Sequence, residues 1–229
     1  MDRTQGCYAE YVAVADSQVY VIPDNLPDQR AALVEPLANI VHLFRIASPE
    51  PFFRMGIVGG GTMGALSLIT AQRLGVQEIL VQDISEARLA VAREMGATLA
   101  ANVSNEDGRS EAQRFAGPGL DLVLDASGSE AARQSAFDLC RPGGLIVLLG
   151  MGKQRSEIDF VTSIRKEHRV AMSFAYTPVD FERSLSLLTS GQVDLTPWTV
   201  ELPLEEGQKA FDIMTTNPGD TLKMLLRVN

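Results

Sequence analysis

Met55-Gly-Ile-Val-Gly-Gly-Gly-Thr-Met-Gly-Ala-Leu-Ser-Leu-Ile-Thr70 is the stretch on which the fold turns. A short apolar run leads into Gly59, Gly61 and Gly64, spaced as G-x-G-x-x-G, and an apolar helical pattern follows. Six-residue glycine patterns arise by chance, but one set between a strand and a helix is the fingerprint of a dinucleotide-binding βαβ unit. Gly59 permits the tight turn, Gly61 lets backbone approach a pyrophosphate, and Gly64 lets the helix pack closely on the strand. Thr62 and Met63 lie where the turn meets the start of the helix. There the unpaired N–H groups and the positive end of the helix dipole favour phosphate.

The next strand supports this reading. Glu78-Ile-Leu-Val-Gln-Asp83 ends in a carboxylate 19 residues beyond Gly64, against an expected spacing of roughly 20. Such a carboxylate accepts hydrogen bonds from the adenosine ribose hydroxyls and repels a 2′-phosphate, so NAD is expected over NADP. Arg88, one turn along the following helix, could soften that preference, but reads more readily as a solvated helix residue. Ser85 reads as the N-cap of that helix.

Outward from the fingerprint, apolar runs alternate with amphipathic stretches. Strands are predicted at Met55–Gly59, Ile79–Gln82, Asp121–Asp125, Leu145–Gly150 and Val170–Ala175, with a weaker one at Leu99–Asn102. Helices are predicted at Met63–Leu74, Glu86–Met95, Glu106–Phe115 and Glu130–Cys140. Nearly all-apolar strands alternating with helices imply an α/β fold, a doubly wound parallel Rossmann sheet covered on both faces. Ligands of such sheets lie beyond the carboxyl ends of the strands. Ser127 and Gly128 after one strand, and Gly150, Met151, Gly152 and Lys153 after the next, are therefore candidate cofactor contacts. Asp125 reads either as a strand-end cap or as a ligand contact.

The flanks differ. Tyr8–Val14 and Gln18–Ile22 alternate as strands do. Pro27-Asp28 opens a helical segment, and a helix is predicted from about Leu37 to Ile46. Ser48-Pro49-Glu50-Pro51 punctuates the chain. After residue 175 the alternation stops. A helix opens at Pro178 and ends by Gly191, and Trp198–Leu202 and Leu222–Val228 read as strands around a helix at Glu205–Met214. The division expected is 49–175 as a cofactor-binding domain, with 1–48 and 176–229 forming a second, smaller one.

Composition narrows the function classes. With 45% apolar and 21% charged residues the chain is ordinary globular protein. Its net charge of −9 disfavours nucleic acid and anionic membrane as partners. Cys7 and Cys140, far apart, read as two reduced thiols. No leader pattern opens the sequence and no apolar run reaches membrane-spanning length, so the expected location is the cytoplasm. His42, in an apolar helix, and His168, in a charged run, lack a neighbouring ligand or base motif. They read as a satisfied helix-face histidine and a surface histidine.

The order and spacing of several segments resemble zinc-type medium-chain dehydrogenases, particularly the sorbitol, threonine and galactitol-phosphate dehydrogenase branch. These segments are Gly6-Cys-Tyr-Ala-Glu-Tyr-Val12, Leu33-Val-Glu-Pro-Leu-Ala38, the glycine fingerprint, Asp83, Glu94-Met-Gly-Ala97, Asp121-Leu-Val-Leu-Asp-Ala-Ser-Gly128, Arg141-Pro-Gly-Gly144, Phe174-Ala-Tyr176 and Leu187–Asp194. The resemblance implies hydride transfer between nicotinamide and a secondary alcohol or sugar alcohol, with a zinc ion polarising the oxygen. It implies a metal-site role for Glu35, a place beside the nicotinamide ring for Asn39, and a ring-lining loop at Gly150-Met151. It also implies that the flanks are the remnant of a GroES-like catalytic domain, and that the last Rossmann strand pairs across a two-fold axis in a homodimer. The family's cysteine and His-Glu zinc ligands have no counterpart here. Catalytic zinc needs three protein ligands, so this chain alone is expected to hold none. The alternatives are an enzyme whose remaining part is absent from this sequence or comes from a separate chain, a non-catalytic NAD(H)-binding protein and, ranked last, zinc-free reductase chemistry like that of quinone-reductase relatives.

Overall fold

A computed structural model describes residues 6–50 and 53–228. Its centre is a six-stranded sheet built from β1 (Met55–Val58), β2 (Ile79–Asp83), β3 (Leu99–Asn102), β4 (Leu120–Asp125), β5 (Cys140–Leu148) and β6 (Arg169–Met172). The strands run in the order β3-β2-β1-β4-β5-β6, and every neighbouring pair is parallel. Successive strands swing first to one side of β1 and then to the other. That creates a crevice above β1 and β4, where ligands of such sheets bind.

The apolar strands follow from burial on both faces. Met55, Ile57, Val81, Leu122, Leu124 and Val147 face one core, shared with α3 (Thr62–Arg73) and α4 (Glu86–Glu94). Val58, Leu80, Val123 and Ile146 face the other, shared with α5 (Glu106–Ala116) and α6 (Glu130–Leu139). Ser85, Asn105 and Ser129 cap α4, α5 and α6 through their side chains, satisfying N–H groups that a helix start leaves unpaired.

The flanking segments join the first core. A short α1 (Asp28–Ala31) leads to α2 (Val34–Ala47), whose Leu37, Ile40, Leu43 and Phe44 form an apolar stripe. α2 stops at Ser48, which adopts the left-handed conformation (φ 38°) just before Pro49. Its stripe packs against α3 and against α8 (Pro178–Thr189), where Leu188 is fully buried. A short α7 (Phe160–Arg165) precedes β6 and had no clear periodic signal in the sequence. Beyond α8, β7 (Thr199–Pro203) and β8 (Lys223–Arg227) form a separate two-stranded parallel sheet beside α9 (Gly207–Thr216).

Several expectations need correction. Tyr8–Val14 and Gln18–Ile22 are not strands. Residues 7–15 are irregular, and only a 3-10 turn at Asp16–Gln18 follows. Alternation alone makes no strand without a ladder partner, and no described strand lies beside this segment. Tyr11 and Val21 are consequently 85% and 88% exposed. β6 ends at Met172 rather than at Ala175, which has a positive φ of 55° that breaks the extended run. α2 begins three residues before Leu37, because Pro36 is tolerated in a first turn. Residues 1–5 and Pro51, on which the leader and linker readings partly rested, lie outside the described residues.

Candidate cofactor site

The glycine turn joins β1 to α3. Gly59 takes a φ of 110°, and a Cβ on Gly64 would stand 1.9 Å from the Gly59 carbonyl oxygen. Only glycine at residue 64 lets α3 start this close to the turn, leaving its first N–H groups directed at the crevice. Thr62, the first residue of α3, donates its hydroxyl to the Leu222 carbonyl, tying the helix start to the chain just before β8.

Asp83 reaches back to the turn from the end of β2. Its Oδ2 accepts from Gly60 N–H at 2.6 Å and its Oδ1 from Ser85 N–H at 2.8 Å. The carboxylate is buried, with Arg88 Nη1 3.7 Å from Oδ2. Each carboxylate oxygen offers two lone-pair directions, so acceptor capacity remains for ribose hydroxyls.

These residues line one cavity of about 720 Å³ at the strand ends, bounded by Gly59, Gly61, Thr62, Met63, Asp83, Arg88 and Ser127. Gly64 sits buried behind it. The cavity continues between α5 and α6 to Gln82, Arg109, Gln113, Ser135 and Asp138, which the sequence reading missed. Gln82 did carry a signal, as the one amide in an apolar strand. It is almost fully buried and accepts from Ser135 Oγ at 2.7 Å.

Asp125 turns out to be a strand-end cap. Its Oδ1 accepts from Ser127 N–H at 3.0 Å and Gly128 N–H at 2.7 Å. Burial pushes its carboxyl above the ordinary range, partly offset by those N–H groups and Arg133. The loops after β4 and β5 touch backbone to backbone. Lys153 N–H donates to Gly128 O at 2.9 Å, and a Cβ on Gly150 would stand 2.1 Å from Gly128 N. Gly150 and Met151 therefore lie beside the Ser127 loop, outside the residues bounding the 720 Å³ cavity.

Glu35 and Asn39 form a pair of their own on α2. Asn39 Nδ2 donates to the Glu35 carbonyl at 2.9 Å and to its Oε1 at 3.2 Å. Tyr176 stands close by, its hydroxyl pushed up by burial and by the nearby Glu35 carboxylate. His42, one turn on, is satisfied: its Nδ1 lies 2.8 Å from Asp180 Oδ2. Arg45 donates to the same carboxylate from Nε at 2.9 Å and Nη2 at 3.0 Å. Arg45 Nη2 also lies 2.9 Å from His42 Nδ1, so that nitrogen sits between the guanidinium and the carboxylate. His168 is half-buried, with Nε2 3.2 Å from the Cys140 carbonyl.

The glycine turn and Asp83 thus fit a dinucleotide. The described residues do not fit a catalytic zinc. Among the described residues no three His, Cys, Asp or Glu side chains gather to hold a metal. Cys7 is exposed and Cys140 buried, both as free thiols. Among the described residues no helix is long and apolar enough to cross a membrane.

Residues 62–190 match the family model described as "Zinc-binding dehydrogenase". The chain is 32% identical over 223 residues to a probable D-xylulose reductase A of Aspergillus clavatus, covering 93% of this chain and 62% of that protein. It is 30% identical to an L-threonine 3-dehydrogenase of Proteus mirabilis, covering 96% of this chain and 64% of that one. Among solved structures it resembles an alcohol dehydrogenase from Thermus sp. ATN1 with a TM-score of 0.89 at 27% identity, covering 98% of this chain and 66% of the other. The chain thus spans a little under two thirds of the length of the curated relatives it matches.

Proposed function

The chain belongs to the zinc-binding dehydrogenase family, and from that membership we propose that it binds NAD(H) and serves hydride transfer to or from a secondary alcohol or sugar alcohol. The observation that carries this is the meeting of Gly59, Gly61, Thr62, Asp83 and Ser127 around one crevice at the strand ends. In this reading the α3 N-terminus holds the pyrophosphate and Asp83 the adenosine ribose. Gly150, Met151 and Asn39 flank the nicotinamide, and Arg88 borders the ribose. The cofactor, when bound, supplies the hydride acceptor or donor. The likeness to D-xylulose reductase and threonine dehydrogenase favours a small alcohol or polyol as substrate.

Residues 49–175 form the cofactor unit in this proposal, with 1–48 and 176–229 as the remnant of a GroES-like catalytic domain. Glu35 marks the metal side of the cleft, but the donor set among the described residues is too small for zinc. The ligands would therefore come from other polypeptide, including a separate chain. The same observation favours a second reading, an NAD(H)-binding protein without dehydrogenase chemistry of its own. The two free thiols suit a cytoplasmic location, and the apolar edge at β6 suits a homodimer.

Calorimetry with NADH tests the first claim, and absence of binding would sink it. Metal analysis and turnover of a polyol panel, with and without added zinc, separate the two readings. Activity that appears only on adding a polypeptide bearing the cysteine and His-Glu ligands supports the enzyme. Stoichiometric zinc with steady turnover by this chain alone overturns the claim that its zinc site is incomplete.

A further inference from the structure

We propose that Arg133 is a positioning residue for the nicotinamide half of the cofactor, acting by pinning the loop after β5 to the end of β4. The proposal rests on the dinucleotide reading above. Arg133 projects from α6 with only 14% of its side chain exposed. Its Nη1 donates to Ser156 Oγ at 2.8 Å and its Nη2 to the Gly150 carbonyl at 3.2 Å. Its Nε faces Asp125 Oδ2 at 3.5 Å, and neither of those two buried atoms has a closer hydrogen-bond partner among the described residues.

One guanidinium therefore spans two loops. Asp125 Oδ1 already organises the first through Ser127 and Gly128. Gly150 and Ser156 bracket the second. A planar fork with several donors in fixed directions suits this bridging, whereas an ammonium is a single point charge on a flexible stem.

Sheet order says which part of the ligand the clamp serves. β2 lies on one side of β1 and carries Asp83, while β4 and β5 lie on the other. A dinucleotide with its adenosine ribose at Asp83 and its pyrophosphate at the start of α3 must extend its second nucleotide over the loops of β4 and β5. Those are the loops that Arg133 joins. Without the clamp the loop is held to the end of β4 by backbone bonds at 149, 150 and 153, and the freedom regained around 150–156 would have to be lost again at binding, which costs affinity.

The test uses the full chain and compares NADH with ADP-ribose, which lacks the nicotinamide, by calorimetry. Arg133→Gln should weaken NADH about tenfold while ADP-ribose changes by less than about twofold. Arg133→Lys should fall between wild type and Arg133→Gln, and Ser156→Ala should reproduce part of the NADH loss. Amide hydrogen exchange across residues 150–156 should accelerate in Arg133→Gln without any ligand present. Retained ADP-ribose binding shows that the variant is folded. Equal weakening of both ligands, unchanged NADH binding, or unchanged exchange at 150–156 would each overturn the proposal. If wild type binds neither ligand, the dinucleotide reading itself fails and Arg133 loses this role with it. If wild type binds both, only the Arg133 assignment is at stake.

Discussion

Arg88 Nη1 stands 3.7 Å from Asp83 Oδ2 at the end of β2. The carboxylate that should reject a 2′-phosphate is thus partly offset by a neighbouring cation. If the proposed function holds, the balance of this pair should set the discrimination between the two nicotinamide cofactors. NADH should stabilise the chain more than NADPH in a thermal-shift titration, since a ligand raises stability by mass action. Arg88→Ala should widen the gap and Asp83→Ser should narrow it, each by about tenfold in relative affinity. Equal or stronger stabilisation of wild type by NADPH would remove Asp83 from its role.

Gly64→Ala should be among the most damaging single changes. The new methyl would stand 1.9 Å from the Gly59 oxygen, a backbone atom that cannot swing aside. Overpacking of this kind costs about 3 kcal/mol or more. For a chain of this size that lowers Tm by roughly 6–12 °C. A melting curve within a degree or two of wild type would mean that α3 does not start where the structure places it.

Asp180 predicts an acid limb of stability. Burial alone would raise its carboxyl. Arg45, Thr177 and His42 outweigh that and hold it well below the usual carboxylate range. A group whose folded pKa lies below its unfolded one stabilises fully above the unfolded value, about 3.9 for Asp, and loses that contribution as pH falls toward the folded value. Urea midpoints measured from pH 6 to pH 2 should therefore drop steeply below about pH 4 in wild type. Asp180→Asn should start about 2–4 kcal/mol less stable and lose less on acidification. Parallel pH profiles for the two proteins would contradict the assignment.

At the β6 edge, Ile164, Met172 and Phe174 are each more than 70% exposed. An uncovered apolar strand edge invites pairing with another chain, and pairing with its own copy about a two-fold axis closes the assembly. Light scattering should report a dimer for wild type and a shift toward monomer for Met172→Lys. A wild-type monomer across the micromolar range would refute the dimer.

The Rossmann sheet and its glycine turn were legible in the sequence because each of their devices is local. The Gly59–Gly64 spacing, the carboxylate closing β2 and the apolar strands all lie within short windows. Gln82 was visible as an amide among aliphatic residues, but its meaning needed Ser135, 53 positions away. Arg133 carried no local signal, since a helical arginine reads as solvated until Gly150 and Ser156 are brought beneath it. The segment 8–22 misled for the opposite reason. Its alternation fits a strand, but strands are made by partners, and the described chain supplies none there.

The His42–Asp180 contact joins residues 138 positions apart, and α2 buries its stripe largely against α8. During synthesis α2 leaves the ribosome long before α8 exists. At about 5–20 residues per second, the interval is roughly 7–28 s. Until then Leu37, Ile40, Leu43 and Phe44 of the nascent chain are covered only in part, by α3. The second wall of the α2 stripe is supplied only when α8 has emerged and docks on it.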